Sequence, residues 1–460
     1  MSVSRYYTDC PRNPVIKKTL SFIYKTHQDM VSIKQITLSA IMTLLASGAM
    51  AQTSFEEISA DLNKAGGVYL AYPEVTGKLT PAPKGYTPFY ISHYARHGSR
   101  YLLGEGDFKL TIGLLEDAEK AGCITPLGKD VLGRLRKVFI ETEGRSGDLT
   151  PLGARQHKGI AERMARNFPE VFKGKKRVDA RSTVVYRCAM SMAAFGDGLK
   201  GCCPQLDVKY EMNEKNMAYL NYHTDKSNKF TNGEKGPWVE EYLKFEAEHV
   251  KPMRLVNSLF SDKEFIRCKV NPEKLVWAFY WIAVDMQDIE TKKSFYDIFT
   301  PQELFDLWQC VNYRFYIGNA NPEMSKGLVM ANAHTLVENI LECADKAIED
   351  NSIAADLRFG HDGNVIPLLA LLQIENFDVA VRKPEEVYKH WSDFKATPMA
   401  SNVQIVFFRN KANDIIVKFM HNEKEVHVAV PTDTWPYYKW NDVKQYYQNR
   451  LENLKKQVYK

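Results

Sequence analysis

Arg96-His97-Gly98-Ser99-Arg100 stands at the end of the apolar run Phe89-Tyr90-Ile91-Ser92-His93-Tyr94. Two arginines bracketing a histidine and a glycine, where a strand gives way to a loop, can hold a phosphate and attack it. Guanidinium forks match phosphate oxygens bidentately. Glycine lets the backbone come close to a ligand, and an imidazole can serve as a nucleophile. A turn with solvated arginines is the plainer reading of the same five residues, so other segments must decide.

Two further segments carry similar chemistry. One is Asp179-Ala180-Arg181-Ser182-Thr183-Val184-Val185-Tyr186-Arg187, and the other is Gly360-His361-Asp362-Gly363-Asn364. The second leads directly into an apolar helical pattern, whose first amides are unpaired and whose positive dipole end favours an anion. Each has a bland alternative. Asp362 or Asn364 could simply cap the helix, Arg187 could pair with a carboxylate, and His361 could be a core histidine. The weight comes from three basic loops falling at three strand ends.

The elements that must position them read as follows. Strands are predicted over 87–93, 178–180 and 354–360, each followed by a loop and then a helix, the last two helices over 188–199 and 365–374. Strand, loop and helix in this order give an α/β sheet whose ligands gather at the carboxyl ends of the strands. Between about 210 and 327 the pattern turns helical, with helices over 238–249, 272–291 and 301–315 rich in Trp, Tyr and Phe. The apolar stretch 275–284 is too short to cross a bilayer and reads as a buried core helix. The tail returns to strands at 403–408, 415–420 and 425–430, then a helix over 440–454.

Processing and composition narrow the class. Residues 30–51 have a basic start, a short apolar run and Ala49-Met50-Ala51 ahead of Gln52, the pattern of a signal peptide. Translation from Met30 and cleavage after Ala51 are expected, with residues 1–29 outside the fold. The full chain has a net charge of +5, but residues 1–51 hold six basic against two acidic residues, which leaves the remainder near +1. That balance gives no support for a nucleic-acid partner, and no stable membrane insertion is expected after cleavage. Eight cysteines include Cys10 in the removed segment. Seven remain, so at least one is free or pairs between chains, and adjacent Cys202 and Cys203 are poor partners. No Cys/His cluster has zinc spacing.

The chain resembles the histidine phosphatases, in the branch that contains acid phosphatases and phytases. The resemblance rests on Arg96-His97-Gly98-Ser99-Arg100, on Ser182-Thr183 with Arg187, and on Gly360-His361-Asp362-Gly363-Asn364. It extends to Leu149-Thr150-Pro151-Leu152-Gly153 with Gln156. It implies a mixed sheet flanked by helices, a core like that of phosphoglycerate mutase. The core would be split between 52–209 and 328–460, with a helical cap inserted at 210–327. It implies that His97 is a nucleophile forming a phosphohistidine. Arg96, Arg100, Arg187 and His361 would bind the phosphoryl oxygens, and Asp362 would protonate the departing alcohol, with no metal or other cofactor. The implied protein is exported, periplasmic or secreted, and acts on a small phosphorylated substrate.

Phytate or another inositol polyphosphate leads, because Arg-His-Gly-Ser-Arg-Tyr looks like the inositol polyphosphate phosphatases. Those enzymes commonly carry His-Ala-Glu where this chain has His361-Asp362-Gly363, a form more typical of acid phosphatases and bacterial-type phytases. Simple phosphomonoesters are therefore the alternative. The basic run Lys173-Gly174-Lys175-Lys176-Arg177 reads as a solvated loop before it reads as a polyphosphate attractor. Three rivals are weaker. A metallohydrolase would use His93 and His97, four apart, but the segment is strand and loop and lacks the expected Glu. A non-catalytic phosphate-binding protein would not need both His97 and Asp362. A phosphomutase fits poorly with export.

Overall fold

A computed structural model describes residues 54–459. Translation from Met30, the apolar run after it and cleavage at Ala51 all lie outside the described residues. The centre of the fold is a sheet of eight strands in the order β3-β2-β4-β1-β5-β6-β7, with β8 beside β6. These strands are β1 (Thr87–Arg96), β2 (Arg177–Ser182), β3 (Asp207–Met212), β4 (Ile353–Gly360), β5 (Asn402–Arg409), β6 (Ile415–His421), β7 (Lys424–Glu425) and β8 (Tyr437–Lys439). Strands β3, β2, β4 and β1 run parallel. From β5 onward the pairing is antiparallel, so the sheet is mixed, as expected.

Alternation along β1 explains how the sheet is covered. Tyr90 and Tyr94 point into a large core formed with the helices between β3 and β4 and with the C-terminal helix. Ile91 and Ala95 point to the other face, against the helices Pro151–Asn167 and Tyr186–Cys202. A parallel sheet interior must be covered on both sides, hence the nearly unbroken burial of β1 and β4. His93 sits in the second core with its ring 5.0 Å from that of Phe195 and 5.7 Å from that of Phe359. Burial lowers its pKa to about 3. Both of its ring nitrogens lack hydrogen-bond partners, so this histidine is a neutral packing residue. Among the described residues no group of His, Cys, Asp and Glu could hold a metal.

Register brings the loops together. Arg96 lies opposite Gly360, and Ser182 lies opposite Phe359, so β1, β2 and β4 end at one level. Each is followed there by one of the three basic segments. Between β3 and β4 the described residues hold helices and turns, with a single isolated bridge, Ile124–Phe260. They include Val239–His249, Pro272–Asp285, Pro301–Asn319 and His334–Glu349. The expected core helix at 275–284 lies within Pro272–Asp285 and is buried apart from its tryptophans Trp277 and Trp281. No helix of the described residues is long and apolar enough to cross a membrane.

Several elements differ from the sequence reading: β3 and β8 were not read, and the helix expected over 272–291 ends at Asp285. β1 continues to Arg96 because β4 pairs with it to that point and β5 to Ala95. The strand expected over 425–430 stops at Glu425. Beyond it, His427 exchanges hydrogen bonds with Glu375 and Val428 donates to the Tyr438 hydroxyl, while β8 occupies the place beside β6. The helix over 188–199 begins earlier, at Tyr186, which puts Arg187 in its first turn. All seven cysteines of the described residues are free. The basic run 173–177 feeds β2, where Arg177 pairs with Asp179 at 3.2 Å.

Candidate active site

The loop after β1 is held through its own backbone groups, by backbone and side-chain partners. His97 N–H donates to the Gly360 carbonyl at 2.9 Å, and the His97 carbonyl accepts from Ala400 N–H at 2.9 Å. Gly98 N–H donates to Ser191 Oγ at 3.1 Å, and Ser99 N–H to Gln156 Oε1 at 2.9 Å. The Ser99 carbonyl accepts from Thr150 N–H at 2.9 Å. Thr150 is also the N-cap of Pro151–Asn167. These bonds press Gly98 onto Gly153, so that a Cβ on Gly98 would lie 2.5 Å from the Gly153 carbonyl oxygen. Since both partners are backbone, Gly98→Ala must push the loop and the helix start apart. We expect kcat/KM to fall on the order of 100-fold, the usual cost of displacing a catalytic group by about 1 Å. Steady-state kinetics beside a melting curve check this, and activity within twofold of the parent would contradict it.

His97 is buried with its tautomer set. Its Nδ1 lies 2.9 Å from the Gly98 carbonyl oxygen. A carbonyl can only accept, so Nδ1 carries the hydrogen and Nε2 keeps its lone pair. Burial, followed by the charges of Arg96, Arg100 and Arg187, holds the His97 pKa well below the usual 6.5. The ring is therefore neutral in mild acid.

The charged groups meet around one cavity of about 480 Å³ whose lining includes His97, Arg100, Arg187, His361 and Asp362. The His361 ring is 5.8 Å from the His97 ring, and its Nε2 is 3.2 Å from Thr183 Oγ1. Burial first, then the nearby arginines, lower its pKa to about 4 against the opposing pull of Asp362. His361 occupies the cap position of the helix Asp362–Leu372, through its backbone and without a side-chain bond. That helix aims its positive end at the cavity. Arg100 stacks over the Tyr69 ring at 4.5 Å.

Arg96 is not among the lining residues. It is fully buried, donating to the carbonyls of Val68 and Thr397 and pairing with Asp362 Oδ2 at 2.8 Å. Asp362 Oδ1 also accepts from Gly363 N–H at 2.7 Å. Burial raises the Asp362 pKa, but Arg96, His361 and Arg100 outweigh it, and the net position is below the usual carboxylate value. The sequence-predicted residues thus converge, with Arg96, expected among the phosphate-binding residues, placed behind the wall and paired with Asp362.

Other parts of the site were not read from the sequence. Ser99 Oγ donates to Asp288 at 2.5 Å and accepts from Gln156 Nε2 at 2.8 Å. Burial pushes Asp285 up to about 7, against Arg100, and drives Asp288 well above its usual value with Asp285 adding to the rise. Two aspartates three apart at the end of an apolar helix were the available signal. The outer lining from Pro272–Asp285 and Pro301–Asn319, including Trp277, Trp281 and Arg314, is assembled only by the fold.

Known proteins share this sequence pattern and fold. A multiple inositol polyphosphate phosphatase 1 from Gallus gallus is 21% identical over 399 residues, spanning 81% of this chain and 84% of that one. The crystal structure of a Bifidobacterium longum multiple inositol polyphosphate phosphatase, in complex with inositol hexasulfate, superposes with a TM-score of 0.70. That match has 18% identity and covers 83% of this chain and 97% of the other. The D. castellii phytase superposes with a TM-score of 0.65 at 15% identity, over 86% of this chain and 87% of that one. The sequence pattern of the histidine phosphatase superfamily, branch 2, matches residues 95–422, and the chain belongs to that family.

Proposed function

We propose that the protein hydrolyses phosphomonoesters through a phosphohistidine on His97. The observation that carries this reading is a neutral imidazole of set tautomer in a cavity with Arg100, Arg187 and His361, beside the carboxyl of Asp362. The Nε2 lone pair forms a P–N bond as the ester P–O bond breaks, and Asp362 gives its proton to the departing alkoxide. Water then attacks phosphorus, its proton passes to Asp362, and the P–N bond breaks with its electron pair returning to His97. Arg100, Arg187 and His361 hold the oxygens of the phosphoryl group in both steps, with Arg96 keeping Asp362 in place. Phosphoryl transfer depends mainly on such positioning and charge stabilisation.

The depressed pKa of His97 suits acid conditions. The nucleophile stays unprotonated in mild acid, and Asp362 takes up its proton once a bound phosphate offsets the cations around it. Residues 30–51 support export to the periplasm or medium. The mainly helical stretch between β3 and β4 supports a cap at 210–327 over a core formed by 52–209 and 328–460. The names of the relatives put inositol polyphosphates among the first substrates to test. Simple phosphomonoesters are the second reading, favoured by a cavity lining with few cations beyond the phosphate-binding group.

The intermediate is the test. Mixing enzyme with excess ester and quenching in alkali, where phosphohistidine survives, is expected to leave about one phosphate per chain on the peptide that contains His97. Phosphate absent from that peptide during rapid turnover would reject the mechanism.

A further inference from the structure

Trp277 and Trp281 lie four apart on Pro272–Asp285, with ring centroids 6.1 Å apart and planes inclined by 23°. Trp281 continues to Tyr69, centroid to centroid 5.4 Å, and Tyr69 carries the Arg100 guanidinium 4.5 Å above its ring. All four residues line the cavity. A ladder of aromatic faces therefore runs from the outer lining to an arginine of the phosphate-binding group. Leu103 is also in the lining and is 61% exposed. It stands with the exposed Tyr186 beside Arg187, since a Cβ on Gly147 would lie 3.3 Å from Tyr186 Oη, 3.5 Å from Leu103 Cδ2 and 3.7 Å from Arg187 Nη1. Apolar side chains left open beside a binding site mark a surface that a ligand covers.

Charge points the same way. Apart from His97, Arg100, Arg187, His361 and Asp362, the lining has one cation, Arg314, and one anion, Glu246, and no lysine. Tyr242 Oη donates to Glu246 at 3.2 Å. Each additional phosphate of a polyphosphate calls for its own cationic partner, and here a single arginine is offset by a carboxylate. An aromatic ring, by contrast, finds faces to stack on and apolar area to bury.

We propose that this site selects phosphomonoesters whose alcohol carries an aromatic ring, seated on the Trp277–Trp281–Tyr69 ladder. The inference rests on the phosphomonoesterase reading above. The test compares 2-phenylethyl phosphate with ethyl phosphate, whose departing alcohols have similar acidity, and with phytate. We expect kcat/KM to favour 2-phenylethyl over ethyl phosphate by roughly tenfold to a hundredfold, from ring burial and stacking, and to exceed the value for phytate.

In Trp281→Leu the preference for the phenyl ester is expected to shrink several-fold, and Trp277→Leu gives the same reading if the first variant does not fold. A ratio near one in the parent protein, or phytate as the best ester, would overturn the proposal and leave the His97 mechanism standing. Absence of turnover with every ester would overturn both together.

Discussion

His97→Ala is expected to lower kcat by about 10⁴-fold or more on every phosphomonoester, because it removes the atom to which phosphorus is transferred in the proposed mechanism. Its effect on folding should be small. Among the described residues that ring makes one hydrogen bond, from Nδ1 to the Gly98 carbonyl, and such a bond contributes about 1 kcal/mol. The backbone bonds of His97 to Gly360 and Ala400 remain in the variant. Phosphate release measured beside a thermal melt separates the two effects. Retention of activity within tenfold of the parent, in a folded protein, would transfer the nucleophile's role to another group.

Asp362→Asn removes the proposed proton donor and is expected to cost roughly 10²–10⁴-fold in kcat on alkyl esters. The loss should shrink for nitrophenyl phosphate, whose departing phenolate needs little help. An equal loss on both esters would mean that Asp362 serves only to hold Arg96. The pH dependence carries a second sign. In the free protein the cations around Asp362 hold its pKa below the usual carboxylate value, despite its burial. A bound phosphate dianion offsets those cations, so the carboxyl pKa rises in the complex. The acid form is lost as pH rises through whichever pKa applies. The alkaline limb of kcat should therefore lie at higher pH than that of kcat/KM, and both limbs should vanish in Asp362→Asn. Coincident limbs in the parent would argue against this coupling.

Residues that matter through their own chemistry, and lie within one loop, were legible before folding. Arg96, His97 and Arg100 are neighbours in sequence, as are His361 and Asp362, and the apolar stretches before them read as strands because their burial leaves no polar face. Parallel strands ending level then follow from the strand-loop-helix order. The edges were less legible. β3 is exposed along most of its length and has no apolar pattern to read. The segment after Glu425 looks like a strand but finds its partners in Glu375 and the Tyr438 hydroxyl.

By itself, then, the sequence determined the three basic loops, the family and the mixed α/β class, since these depend on local residue types and on short-range periodicity. Tertiary structure alone decided that Arg96 is buried behind Asp362, and that Ser99 rests on an aspartate 189 residues away. It also decided that two tryptophans of a distant helix line the cavity beside Arg100. These are contacts between segments remote in sequence. Burial, which keeps His97 neutral and raises Asp285 and Asp288, and the clustered cations that outweigh it at Asp362, exist only once those segments close around the site.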